Sequence, residues 1–269
     1  MSGPARIALV GAAGRMGLEI ARAARDRDDI VICAAIEHAE HPALGRDLGE
    51  LAGGGALGTT LADDLEDAAE QAAVIVDLSL PSATAKVIAA AVRHGTALVC
   101  GTTGLRGPEL AAFAEAARRV PVLYTTNLSP GIALLNRLVA EAIPALGPSY
   151  DIEIIETHHR DKVDAPSGTA LTLAESAATA AGLERDEALR HGRVGKTGKR
   201  SPAEIGIHAV RGGGVFGEHR VILAGAHEEV VLTHRASSRR LFADGALRAA
   251  LFVAGRKPGR YSMQDVLGS

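Results

Sequence analysis

The 269-residue sequence has no tryptophan and only three tyrosines and four phenylalanines, so its core has to be built from aliphatic side chains and alanine. Its two cysteines, Cys33 and Cys100, form no CxxC, which excludes a disulfide scaffold and a cysteine-held zinc site and suits a reducing cytoplasm. No apolar run is long enough to cross a bilayer, every long apolar stretch being alanine-rich and broken by charges, so no membrane partner is expected. The N-terminus enters a strand pattern at once, and no signal peptide fits it. There is no charge excess either: 29 basic and 32 acidic side chains leave −3, which argues against nonspecific nucleic-acid binding. With 47% hydrophobic and 23% charged residues, what remains is a soluble globular chain, large enough for one big domain or two ordinary ones.

What is there is an alternation. Ile7–Val10 is a short apolar run ending at Gly11, as expected of a strand buried on both faces, and Met16–Ala24 follows with helical spacing. Ile30–Ile36, Val74–Ser79, Ala97–Cys100 and Val120–Tyr124 read as further strands, with helices expected over Pro81–Gly95 and Glu109–Arg119. Strands alternating with helices predict a parallel α/β sheet, Rossmann-like and doubly wound, with its ligand site beyond the carboxyl ends of the strands. After about residue 130 the pattern changes. Asp151–Glu156, Ala203–Val210, Glu218–Ala224 and Val230–Arg235 alternate polar and apolar, which predicts a second, α+β domain with a mixed or antiparallel sheet. Leu241–Val253 is again helical. The expected division is therefore 1–129, with 240–269 returning to it, and 130–239. The basic stretch His191–Arg200 fits neither a strand nor a helix; it reads as a solvated loop or, functionally, as a lid or inter-subunit arm.

Gly11-Ala12-Ala13-Gly14-Arg15-Met16-Gly17 follows a strand and opens a helix. Gly11 allows a tight turn, Gly14 a close approach of backbone to a pyrophosphate, and Gly17 close helix packing, while the helix N-terminus offers N–H groups to phosphate. Glu37 follows the second strand about 20 residues beyond Gly17, where an acidic residue accepts from an adenosine ribose. The expected cofactor is a nicotinamide dinucleotide without a metal. Glu37 favours NADH, because a 2′-phosphate would meet like charge, although Arg15 and His38 could offset that charge for NADPH. Gly101-Thr102-Thr103-Gly104 and Thr125-Thr126-Asn127-Leu128 end later strands and fall at the same edge of the sheet.

The densest chemistry lies from Glu156 to Ala170. His158, His159, Arg160 and Lys162 precede Pro166-Ser167-Gly168-Thr169, which opens a helix. Ser167 or Thr169 is a plausible N-cap there, and the Gly168 and Thr169 N–H groups would form an anion site. Basic side chains beside a helix N-terminus suit a substrate carrying carboxylates, and histidine and lysine can move protons near neutral pH. The paired histidines lack a nearby cysteine or third histidine to complete a metal site. An aldehyde-oxidising rival would want a nucleophilic cysteine in the second domain, where there is none, and a nonenzymatic dinucleotide sensor would have no need of proton donors.

These residues resemble the 4-hydroxy-tetrahydrodipicolinate reductase (dihydrodipicolinate reductase) family. The likeness rests on the His-His-Arg-x-Lys-x-Asp-x-Pro-Ser-Gly-Thr string from His158 to Thr169, the Gly11–Gly17 loop, Gly101–Gly104 and Asn127–Gly131. It continues through Val210-Arg211, Gly217-Glu218-His219, Thr233–Arg239 and Met263–Leu267, covering nearly the whole chain. It implies a cytoplasmic homotetramer that uses NADH or NADPH to reduce a cyclic dicarboxylate to tetrahydrodipicolinate in lysine and diaminopimelate biosynthesis. By that resemblance His158 is the proton donor and acceptor and Lys162 a proton donor, while His159, Gly168 and Thr169 hold substrate carboxylate. Cofactor contacts fall on Gly11, Ala12, Ala13, Gly14, Arg15, Met16, Glu37, His38, Gly101, Thr102, Thr103, Thr125, Thr126, Asn127 and Leu128. Two departures stand out: His38 replaces an arginine found in many members, and Leu80 a basic residue found in some.

Overall fold

The computed structural model describes residues 3–268. Its elements run β1 (Ala5–Val10), α1 (Arg15–Arg25), β2 (Ile30–Ile36), α2 (Leu48–Leu51), β3 (Leu61–Ala62), α3 (Leu65–Gln71), β4 (Val74–Asp77), α4 (Pro81–His94), β5 (Ala97–Cys100), α5 (Gly107–Ala116) and β6 (Pro121–Tyr124). Then come α6 (Pro130–Leu146), β7 (Asp151–His158), α7 (Gly168–Ala181), α8 (Arg185–Ala188), β8 (Leu189–His191), β9 (Ile205–Arg211), β10 (Glu218–Ala224) and β11 (Glu229–Arg235). The chain ends with α9 (Arg240–Val253), β12 (Gly259–Tyr261) and α10 (Met263–Leu267). It divides into two compact units, Met1–Pro130 with Arg239–Ser269, and Gly131–Ser238. Among the described residues no helix is long and apolar enough to cross a membrane.

In the first unit β12-β6-β5-β4-β1-β2-β3 form one seven-stranded sheet, every pair parallel. Its strands are continuous apolar runs because both faces are covered. Val87 and Ile88 of α4, Phe113 of α5 and Ala68 of α3 pack with Ile75, Leu98 and Val122 in one cluster, while α1 and α9 pack against each other and against the sheet. Alanine lines these helices (Ala90, Ala91, Ala246 and Ala250 are fully buried), which lets them lie close to the strands without aromatic bulk. Pro81 opens α4 and Gly95, at φ 71°, closes it in the left-handed region that glycine adopts at no cost. The sheet is the doubly wound one expected, with β3 and β12 added at its two edges.

In the second unit β11-β10-β7-β9-β8 form a mixed sheet: β11, β10 and β7 are antiparallel neighbours, while β7, β9 and β8 run parallel. Ile132, Leu135 and Val139 of α6 and Leu173, Ala174 and Ala177 of α7 bury one face of it against Ile152, Ile154, Ile205, Ile207, Val221 and Leu223. Truncating one of these, Leu173 for example, would cost about 2–5 kcal/mol by the usual cavity penalty.

Candidate active site

Each unit carries one cluster of the sequence-predicted residues. In the first, strand register builds it. Val10 is level with Ile36 and with Asp77, Asp77 with Cys100, and Cys100 with Tyr124. The next residues of these strands continue the row: Gly11 N–H donates to Ile36 O at 2.9 Å, Gly101 N–H to Asp77 O at 2.9 Å, and Thr125 N–H to Cys100 O at 3.0 Å. Gly11, Glu37, Gly101 and Thr125 thus line one carboxyl edge, where open α/β sheets take ligands.

The glycines here are required by space. Gly11 has φ 77°, and a Cβ on it would lie 2.8 Å from Leu78 O; one on Gly17 would lie 2.4 Å from Ala12 O. Gly14 caps α1 and is exposed, with Arg15 exposed beside it. Glu37 does more than follow its strand. Its Oε1 accepts from Ala13 N–H at 2.9 Å, so the carboxylate braces the loop while its second oxygen stays available. His38 is exposed, edge-on to His41 with ring centroids 5.3 Å apart. A Cβ on Gly101 would lie 2.7 Å from the end of the Leu78 side chain and 2.9 Å from that of Leu128, so these leucines would have to shift. Thr102 is buried and Thr103 exposed. Thr125 and Asn127 use their side chains on their own turn: Thr125 Oγ1 accepts from Asn127 N–H at 3.1 Å and Asn127 Oδ1 from Ser129 N–H at 2.8 Å. A cradle of backbone N–H groups, one carboxylate and no bulk fits a dinucleotide.

The second cluster sits on the helix-covered face of the mixed sheet. Ile152, Ile154, Glu156 and His158 point there in turn, and Glu156 is fully buried. Its carboxylate receives four donors. Arg211 gives NH1 to Oε2 and NH2 to Oε1, both at 2.7 Å; Ser167 N–H reaches Oε1 at 3.0 Å; His158 Nδ1 lies 2.5 Å from Oε2. Burial opposes the Glu156 charge, but hydrogen bonds from Arg211, His158 and the Ser167 N–H outweigh it and hold the carboxyl below its ordinary range. His158 is pushed below its usual range by burial, which exceeds the opposing pull of Glu156.

Ser167 caps α7: its Oγ accepts from Ala170 N–H at 3.2 Å and lies 3.1 Å from His219 Nε2. The Gly168 and Thr169 N–H groups belong to the first turn, which has no acceptor within its own helix. Lys162 Nζ donates to Asp164 Oδ1 at 2.8 Å, and Arg211 NH2 also donates to Asp164 O at 2.7 Å, so the lysine loop is fastened to the same arginine. His159 is half-buried.

The cluster therefore brings together His158, Ser167 and the start of α7, with Lys162 joined through Asp164 and Arg211. Three members were not among the sequence-predicted site residues: Glu156, Arg211 and His219. Register places them, since His158 pairs with Arg211 and Glu156 with His219. Gly217 is a fourth. A Cβ there would stand 3.1 Å from His158 Nε2, so the glycine keeps that nitrogen uncrowded.

The family described as dihydrodipicolinate reductase matches through its N-terminal region over residues 5–128 and its C-terminal region over 131–267. A 4-hydroxy-tetrahydrodipicolinate reductase of Alkalilimnicola ehrlichii is 50% identical over 98% of both chains, and one of Rubrobacter xylanophilus 48% identical over 98% of both. Among solved structures, a dipicolinate-bound dihydrodipicolinate reductase from Paenisporosarcina sp. TG-14 superposes with a TM-score of 0.78 at 24% identity, covering 96% of this chain and 97% of that one, a likeness of fold.

Proposed function

The chain belongs to the dihydrodipicolinate reductase family, oxidoreductases that reduce 4-hydroxy-tetrahydrodipicolinate in lysine biosynthesis with a nicotinamide cofactor, and we propose how its residues perform that reaction. The observation that carries the reading is the His158 imidazole, tethered at Nδ1 by a buried carboxylate that also holds the cap of α7. His158 is the general acid and base, and Lys162, released from Asp164, donates a proton to the substrate. His159 and the Gly168 and Thr169 N–H groups hold a substrate carboxylate at the positive end of α7.

The first unit binds the dinucleotide. Gly11 to Met16 pass its pyrophosphate along the N-terminus of α1, Glu37 and His38 meet the adenosine ribose, and Gly101–Thr103 with Thr125–Leu128 line the nicotinamide half. When bound, the reduced nicotinamide supplies the hydride. The free oxygen of Glu37 accepts from a ribose hydroxyl and repels a 2′-phosphate, so NADH serves at least as well as NADPH. Absorbance at the reduced-coenzyme band, followed with freshly generated 4-hydroxy-tetrahydrodipicolinate, tests both statements. Oxidation that depends on the substrate is expected, with kcat/KM for NADH equal to or above that for NADPH. A strong preference for NADPH overturns the assignment of Glu37.

The chain works in the cytoplasm as a homotetramer in this reading. The sheet face away from α6 and α7 carries Ile155, Val210, Ile222 and Val231, with Val210 46% exposed, an apolar patch suited to a second copy. Light scattering should give four chain masses; a monomer mass removes the proposal.

A further inference from the structure

Resting on the acid–base role of His158, we propose that Glu156 and Arg211 are positioning residues that fix the tautomer of His158 and draw its acidity in opposite directions.

An ionised carboxylate only accepts hydrogen bonds and has about four lone-pair sites. On Glu156 all are spoken for, two by the Arg211 fork, one by Ser167 N–H and one by His158. The hydrogen between Glu156 and His158 therefore belongs to Nδ1, and Nε2 is the nitrogen that takes up and returns the working proton. Gly217 borders that nitrogen with backbone alone. A carboxylate gripped from four directions cannot drift, so the ring is held in one orientation before any substrate arrives.

Charge is set by the same arrangement. The groups facing His158 are Glu156 from β7 itself, Lys162 from the loop that follows, Arg211 from β9 with Asp164 fastened to it, and His219 from β10, its ring 5.2 Å away. His219 is pushed down to about 3, first by burial, and so brings no charge at neutral pH. Glu156 favours imidazolium; Arg211 and Lys162 oppose it. Without its arginine, His158 would be easier to protonate, although burial would still hold it below its usual range. Without the carboxylate, burial and the two cations would all oppose protonation. Burial leaves the ring neutral at rest, and Glu156 against Arg211 sets how readily it is protonated when a dicarboxylate adds its own negative charge.

Two substitutions with opposite consequences test this in the full-length protein. Glu156→Gln should lower kcat by about 10²-fold, less than the loss when a triad carboxylate is neutralised, with a smaller effect on KM. It should also move the His158 ionisation to lower pH. Arg211→Met should move it to higher pH, and Arg211→Lys should restore the wild-type position with only part of the rate. The ionisation is read twice: from the pH profile of kcat/KM, and from imidazole 15N shifts, where the His158 signals are those missing in His158→Gln. Those shifts also report directly whether Nδ1 holds the hydrogen. If Glu156→Gln does not fold, the two arginine variants still decide the matter. Shifts of equal sign in the glutamate and arginine variants, or an Nε2–H resting tautomer in the wild type, overturn the proposal. Should His158→Gln keep its turnover while the opposed shifts are seen, the catalytic role of His158 fails and the positioning stands.

Discussion

Glu153 and Glu156 stand on one strand, β7, on opposite faces of one sheet, and each gathers arginine and histidine. On the outer face Glu153 receives both terminal nitrogens of Arg193 at 2.7 and 3.1 Å, Arg200 Nε at 3.0 Å and His208 Nε2 at 2.8 Å. It lies across Gly206 of β9, where a Cβ would fall 1.8 Å from its Oε2. On the inner face Glu156 receives Arg211, His158 and the cap of α7. The pairing chemistry is the same, and burial opposes the charge in both. What differs is where the donors come from. The Glu153 arginines belong to the 192–204 segment, which they pin to the sheet, Arg200 reaching Asp151 as well while Arg193 also ties the segment's two ends together through Glu204. The Glu156 donors come from a neighbouring strand, a helix start and His158 on β7 itself, whose Nε2 is left beside the bare backbone of Gly217. An ion-pair cluster is structural or catalytic according to what it leaves unsatisfied, and composition alone does not decide it.

The contrast breaks most sharply under substitutions that spare the fold. On the inner side, His158→Gln should lower kcat by roughly 10²–10⁴-fold, as expected on losing a general acid or base, and Lys162→Ala should remove most of the turnover. Coenzyme binding, followed by fluorescence of the reduced nicotinamide, should survive in both, because its proposed contacts lie in the other unit. On the outer side, Glu153→Gln should leave kcat unchanged while proteolysis within 192–204 accelerates. If Glu153→Gln lost turnover as His158→Gln does, the two faces would not be separate in function. If Lys162→Ala kept the wild-type kcat, the lysine would have no part in proton transfer.

How far the sequence reveals this depends on how each feature is assembled. The Gly11–Gly17 loop and the His158–Thr169 string are contiguous, and their chemistry is set by local backbone: a glycine at φ 77°, a helix N-terminus, a serine cap. Those are legible. The alternation in Asp151–Glu156 also held a usable clue. Its phase, read from Ile152 and Ile154, puts Glu156 on the buried face and so predicts a carboxylate in need of partners. Arg211 lay within the family likeness, but its place at the site did not show, because only the parallel register of β7 with β9 sets it beside His158. β3 and β12, two and three residues long, are too short to show a period. Helix α6 carries Pro144 inside it, which obscures a helical reading from sequence. The 191–200 stretch resisted assignment for a related reason: its order comes from side chains that reach Glu153, Glu204 and Asp151, and its own backbone pattern carries no such signal.

The finest test of the comparison is acid stability. Burial opposes the Glu153 charge, yet hydrogen bonds from Arg193, His208 and Arg200 prevail and hold its carboxyl at about 2, below its ordinary 4.5. A carboxyl depressed in the folded state stabilises it fully above the unfolded value and loses that contribution as pH falls through the folded one, so the window runs from about 4.5 down to about 2. Its worth at neutral pH is on the order of 2–3 kcal/mol, given the partial exposure of the arginines. Glu153→Gln should therefore melt below the wild type at pH 7, and the gap should close as the wild type is acidified through that window. A gap that held constant with pH would mean that Glu153 works by filling the space above Gly206, and the outer cluster would then differ from the inner one in kind, since the role proposed for Glu156 rests on its charge.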